Sequence, residues 1–135
     1  MWDEGVFVQI LLVMMGGFIG AICRFEVGEW LHTNQGFPYG TLLVNLIGCF
    51  LLGWLLTFMG RRSKKKPYIT LFFGTGVIGS FTTFSTFSVE TIQLFEKGLV
   101  FVGLSYVLIS ICVGLLLAYL GSKVALFDKK EGETA

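Results

Sequence analysis

The sequence predicts an all-α membrane protein with four transmembrane helices. Hydrophobic residues make up 54% of its 135 residues, and the mean hydropathy is +0.77. Charged residues are 14%, against about 25% in a typical soluble domain. Four stretches contain no Asp, Glu, Lys or Arg: Gly5–Cys23, Thr33–Gly60, Pro67–Val89 and Gly98–Ser122. A helix needs about 20 predominantly apolar residues to cross the hydrocarbon core, and all four meet or approach that length.

The first span follows Asp3 and Glu4, where a signal peptide would carry Lys or Arg. It is therefore expected to be retained. The linkers, around Glu26–Pro38, Arg61–Lys66 and Glu96–Gly98, are short and allow only an up-down-up-down bundle. Residues 1–122 form the membrane domain, and 123–135 are expected to be a polar, frayed tail. Four spans put both termini and the second linker on one side. That side holds Arg61, Arg62, Lys64, Lys65, Lys66, Lys123, Lys129 and Lys130, and the other only Arg24 and Lys97. The bias predicts cytoplasmic termini. It also gives Arg61–Lys66 the role of topology signal and lipid-headgroup contact.

Several functions are disfavoured by what the spans contain. No stretch has the basic, aromatic-interleaved pattern of a nucleic-acid binder. Cys23, Cys49 and Cys112 lie in or beside apolar segments without metal-ligand spacing, so they are expected to be small buried apolar residues. His32 stands alone in a linker, and no acid–base pair lies within a span, which argues against an enzyme. Gly16 and Gly20 form a GxxxG, and Gly74, Gly76 and Gly79 punctuate the third span. Such glycines let helix backbones approach closely.

The chemistry concentrates in Gly79–Glu90, a run dense in hydroxyls and phenylalanine inside a membrane span. Lipid offers no water to polar groups, so these must face protein, an ion or an aqueous path. Two readings of the third span stand side by side. In one, Gly79 and the pair Thr82–Thr83 sit in a continuous helix. In the other the helix breaks, and its unwound carbonyls line a buried site, with oxygen ligands suited to a hard cation. Phe81, Phe84 and Phe87 recur every three residues and share one slowly drifting helical face. Aromatic rings carry a positive edge, so they can attract an anion, with neighbouring hydroxyls as donors.

The other spans add polar groups with two readings each. Asn45, four residues after Thr41, is an amide in an otherwise apolar helix. It makes either an interhelical hydrogen bond, worth about 0.6 kcal/mol in membranes, or a donor to an ion. Gly103, Tyr106, Ser110 and Gly114 share one face of the fourth span. They form a packing seam or one wall of a polar track. Glu90 is a solvated helix-end carboxylate or part of a vestibule. Arg24 snorkels to the interface or fixes the end of the first span.

These residues resemble the small bacterial fluoride channels, the CrcB or Fluc family, from about Gly16 to Gly121. The anchors are Gly16–Phe25, Gly40–Gly53 and Gly79–Glu90, with the Thr-Thr-Phe-Ser-Thr-Phe-Ser core of the last the most specific. The resemblance implies a passive fluoride-selective channel that lets the cell shed the anion, built as an antiparallel, dual-topology dimer with two pores. It implies a third helix broken near its middle and a structural sodium ion (Na+) at the dimer centre, held by the backbone carbonyls of Gly79 and Thr82. It implies a fluoride path of Asn45, Phe84, Phe87, Ser85, Thr86, Tyr106, Ser110, Thr41 and Glu90, with Arg24 in a structural role. Gly114 stands where some relatives carry a serine, a departure at the far end of the track.

Dual-topology members usually show little Lys/Arg bias, unlike the eight-to-two split here. Either a homodimer forms by family habit, or this chain pairs with an oppositely biased paralogue as a heterodimer. Two rival functions remain to be weighed. A small four-helix drug/proton exporter needs a carboxylate in its first span, and Gly5–Cys23 has none. A non-conducting structural membrane subunit leaves the hydroxyl-rich run without a purpose.

Overall fold

The computed structural model describes residues 4–31, 36–61 and 67–132. Asp3, His32, Arg62, Lys64, Lys65 and Lys66 lie outside the described residues, as do the side chains of Lys129 and Lys130. The helices are α1 (Glu4–Trp30), α2 (Tyr39–Arg61), α3 (Pro67–Ile69), a π-helical stretch Thr70–Ile78, α4 (Gly79–Phe81), α5 (Phe84–Glu96) and α6 (Val100–Gly132). They provide four spans long and apolar enough to cross a membrane, as the uncharged stretches predict. The chain is a multi-pass membrane protein.

Two ends differ from the sequence expectation. Helix α1 continues past Cys23 to Trp30, and α6 continues past Ser122 to Gly132, where the sequence predicts a frayed tail. Charge ends the lipid-crossing part of a helix, not the helix itself. Lys123, Ala125 and Leu126 are strong helix formers, and Ala125 is buried.

Helix α1 packs along the π-helical stretch and α4, while α2 packs along α6, which also carries α5. The first contact depends on glycine. A Cβ on Gly16 would fall on the Phe72 carbonyl, and one on Gly20 on the Val77 carbonyl. These two carbonyls are five residues apart, one turn of i→i+5 helix, and the glycines are four apart, about one α-turn. The π-helical pitch therefore matches a GxxxG groove on its neighbour. Gly79 N–H reports the wide winding directly, since it reaches the Gly74 carbonyl five residues back as well as that of Gly76.

The α2–α6 seam uses the same device. Gly53 lies against the Ala118 carbonyl and Gly121 against the Phe50 carbonyl, with no space for a side chain at either. Ser122 Oγ shares its proton between the carbonyls of Ala118 at 3.0 Å and Gly53 at 3.3 Å. Gly103, Tyr106, Gly114 and Gly121 are all buried, so the shared face of the fourth span is a packing seam along most of its length. The turn into α6 is a Schellman ending of α5. Gly98, at φ 75°, donates to the Phe95 carbonyl at 2.9 Å, and Leu99 N–H to that of Leu94 at 2.9 Å.

Outside these seams, large apolar side chains point away from the bundle, Phe18, Phe101 and Leu115 among them. Cys23 and Cys112 are exposed and Cys49 half-buried, which corrects the expectation that the cysteines are buried. In a membrane, hydrocarbon serves as the apolar surroundings, so an apolar residue need not face protein.

Candidate functional site

The site forms where the third span unwinds. Thr82 takes φ −80°, ψ 157° and Thr83 φ −147°, ψ 124°, both extended. The resemblance implies a break at Gly79 and Thr82, and the structure has its extended residues at Thr82 and Thr83. Gly79 stays helical, at φ −61°, ψ −33°, while the β-branched pair leaves the helix. The break also separates Phe81 from Phe84 and Phe87. These three rings do not share one helical face, again unlike the sequence reading.

Asn45 on α2 holds the break open. Its Nδ2 donates to the Thr83 carbonyl at 2.9 Å, and its Oδ1 accepts from Thr83 N–H at 2.8 Å. The interhelical reading of this amide is thus realised twice, both times on backbone. Three residues on, Gly48 leaves room for the Thr82 methyl, where a Cβ would collide. Thr83 then caps α5. Its Oγ1 accepts from Thr86 N–H at 3.2 Å and donates to Thr86 Oγ1 at 3.0 Å, with Ser85 Oγ at 3.3 Å.

The bonds that Thr83 makes divert the helical donors of two carbonyls. In an unbroken helix Thr83 N–H would donate to Gly79 O, and Thr86 N–H to Thr82 O. Asn45 Oδ1 takes the first N–H and Thr83 Oγ1 the second. The Gly79 and Thr82 oxygens, like those of Ser80 and Phe81 between them, lose their usual helical donors at the break, and neutral carbonyl oxygens suit a hard monovalent or divalent cation. Among the described residues, no group of three or more His, Cys, Asp or Glu forms a metal site.

Below the cap, α5 carries Glu90 into a polar cradle. Thr41 Oγ1 donates to Glu90 Oε1 at 2.7 Å, and Tyr106 Oη to Oε2 at 2.9 Å. Glu90 is therefore no bare helix-end carboxylate. Tyr106 is fully buried, with 0% exposure, and its ring lies 5.0 Å from that of Phe87. Phe87 in turn lies 5.9 Å from Phe84, which is 80% exposed on the single chain.

Two cavities flank the break. One, of about 620 Å³, is lined by Arg24, Thr41, Thr83, Thr86, Glu90 and Lys97 among others. The other, of about 350 Å³, is bounded by Asn45, Gly48, Thr83, Phe84, Phe87 and Ser110 among others. Thr83 lines both. A charged, polar space thus meets an aromatic one at the residue that Asn45 clamps.

A profile of the CrcB-like protein, Camphor Resistance (CrcB) family matches residues 11–122. The chain belongs to the CrcB-like family. It is similar to the fluoride-specific ion channel FluC of Oceanobacillus iheyensis, 52% identical over 127 residues, covering 94% of this chain and 98% of that one. It is also similar to the fluoride-specific ion channel FluC 1 of Desulfitobacterium hafniense, 44% identical over 78% of this chain and 93% of the relative. A third relative, the fluoride-specific ion channel FluC of Agrobacterium fabrum, is 41% identical over 84% of this chain and 93% of its own length.

In this CrcB-like chain the expected site residues fall into two groups. Thr41, Tyr106 and Glu90 meet directly, with Thr86 and Arg24 around the same cavity. Asn45, Phe84, Phe87 and Ser110 line the second. Ser85 sits at the cap between them. Ser110 Oγ donates to the Tyr106 carbonyl at 2.7 Å, so its proton is already engaged. Gly114 lies beside Cys49, and a side chain there would press on its Sγ. Sequence reasoning missed Thr83 as clamp partner and cap, although a threonine three residues ahead of Thr86 is a legible cap signal. It also missed Gly48, which carries no signal apart from its distant neighbour Thr82.

Proposed function

We propose that this chain forms a passive, fluoride-selective channel that releases fluoride from the cell, with a structural sodium ion at the centre of an antiparallel dimer. The observation that carries the reading is the near full-length identity to relatives named as fluoride-specific channels. The geometry supports it through the supply of hydrogen-bond donors beside aromatic rings inside a membrane span.

Fluoride is small and strongly hydrated, so a path must replace its water. Two donors stand ready. Asn45 Nδ2 spends one of its two protons on Thr83, leaving the other. Thr86 Oγ1 accepts from Thr83, and its own proton has no acceptor among the described residues. Thr41 and Tyr106 each have one hydroxyl proton, given to Glu90. An anion receives those two only by replacing a carboxylate oxygen. Phe84 and Phe87 line the cavity that Asn45 also lines, and aromatic rings carry a positive edge. Sites of this kind hold an ion weakly enough to let it leave.

The Gly79 and Thr82 carbonyls would hold the sodium ion, and a dimer brings both pairs. Such a cation offsets the cost of an anion in low dielectric. Arg24 is assigned a structural role at the mouth of the polar cavity. Both termini are assigned to the cytoplasm, and residues 1–122 to the channel domain. The charge bias favours a heterodimer with an oppositely biased paralogue. Recovery of a fluoride-conducting antiparallel dimer from this chain expressed alone would overturn the heterodimer.

Efflux from proteoliposomes, followed with a fluoride electrode, tests the function. Fast fluoride release without a proton gradient, and with little chloride release, is the expected result. Absence of release points to a structural subunit, and proton-driven export of an organic cation to a drug exporter.

A further inference from the structure

The geometry points to Phe37, in the linker before α2, as a positioning residue that aims the Tyr106 hydroxyl at Glu90. Gly36, just before Phe37, takes a φ of 85°, which suits glycine. Tyr39 N–H then donates to the Phe37 carbonyl at 3.0 Å, and Leu42 N–H to that of Pro38 at 3.1 Å, which ties the turn to the start of α2. From this fixed turn the Phe37 ring meets Tyr106 edge-on, at 5.6 Å and 76°. Tyr39 backs it at 4.7 Å.

Tyr106 thus has two ring contacts. Phe87 of α5 contacts its ring at 5.0 Å, and Phe37 contacts it from the linker. A tyrosine ring swings on two torsions, and its hydroxyl must stay 2.9 Å from Glu90 Oε2. Phe37 is one of the neighbours that bury Tyr106 completely and limit that swing. Phe37 also lines the polar cavity that contains Thr41 and Glu90, so its loss loosens the cradle at the mouth of the path. Four rings form a chain from the linker to the aromatic cavity: Phe37, Tyr106, Phe87 and Phe84. The inference deepens the fluoride-channel reading and rests on it.

Phe37→Leu removes the ring and keeps an apolar side chain. In proteoliposomes it is expected to slow fluoride efflux about 5-fold, the scale of one aromatic pair. In a Tyr106→Phe background, which keeps the ring but has no hydroxyl to aim, the same change is expected to cost less than about 2-fold. Phe37→Tyr, which retains an edge, restores flux. Independently of flux, the ring Cζ resonance of 13C-labelled Tyr106, identified by its loss in Tyr106→Phe, is expected to shift in Phe37→Leu. Equal losses in both backgrounds, or an unmoved resonance, overturn the inference. Should Tyr106→Phe conduct nothing or Phe37→Leu fail to assemble, the resonance in Phe37→Tyr against Phe37→Met decides. A parent protein without fluoride efflux overturns the channel reading instead, and the resonance still tests the contact.

Discussion

Replacing Asn45 with alanine removes both hydrogen bonds that hold the Thr83 backbone away from the helix, at 2.9 and 2.8 Å. Thr83 is buried. Leaving the Thr83 N–H unpaired costs about 1–3 kcal/mol. Two effects reduce this. Interhelical bonds in membranes average only about 0.6 kcal/mol, because alternatives exist. One alternative is specific here, since the freed Thr83 N–H can return to the Gly79 carbonyl and heal the helix. The Thr83 carbonyl, as the N-cap, keeps the first bond of α5. The expected net loss is about 1–2 kcal/mol, together with a change in sodium dependence as the Gly79 oxygen is recaptured. Asn45→Asp keeps an acceptor for Thr83 N–H but loses the donor and adds negative charge beside the path. It is expected to cost less stability than alanine and more fluoride flux. Denaturation in micelles followed by circular dichroism, paired with electrode-detected efflux, separates the two. An alanine variant within about 0.5 kcal/mol of the parent, the noise expected of an inert site, would refute the clamp.

Phe84→Ile and Phe87→Ile are each expected to cut fluoride efflux about tenfold or more, the equivalent of losing one strong ring contact. Gel filtration should still show assembled protein, and unchanged flux in both variants excludes a role for the ring edges. Gly20→Ala drives a methyl into the Val77 carbonyl, so a loss of about 1–3 kcal/mol in thermal stability is expected. A neutral result there contradicts the close α1 contact. Exchanging sodium for a bulky organic cation on both sides of the membrane is expected to abolish flux, and a fully active channel removes the cation assignment.

The spans were readable because lipid forbids charge over a definite length, and the four uncharged stretches obey that rule. Their ends were less readable. Arg24, Glu26 and Glu29 close the lipid-crossing part of α1 but are good helix residues, so the helix runs on to Trp30. A break in the third span is one of two readings of the sequence, and the resemblance sets it at Gly79 and Thr82. Gly79 remains in the helix, and the unwound positions belong to threonines whose branched side chains favour extended backbone. The π-helical winding leaves no mark in the sequence that distinguishes it from other glycine-rich helix. Thr41, Glu90 and Tyr106 were each suspect alone, but their meeting depends on three separate helices, 49 and 16 residues apart in sequence. Phe37 and Gly48 were silent for the same reason.

The two oxygens freed at the break are main-chain atoms, present whatever residue occupies positions 79 and 82. Point mutation there can move them but not delete them. Their availability is instead encoded at Asn45 and Thr83, one an amide 34 positions before Gly79 in the numbering and the other a cap that never faces them as a ligand. Inheritance of such a site is thus indirect. A homologue could vary at 79 or 82 and retain the oxygens, or keep both residues and lose the Gly79 oxygen by a single change at 45.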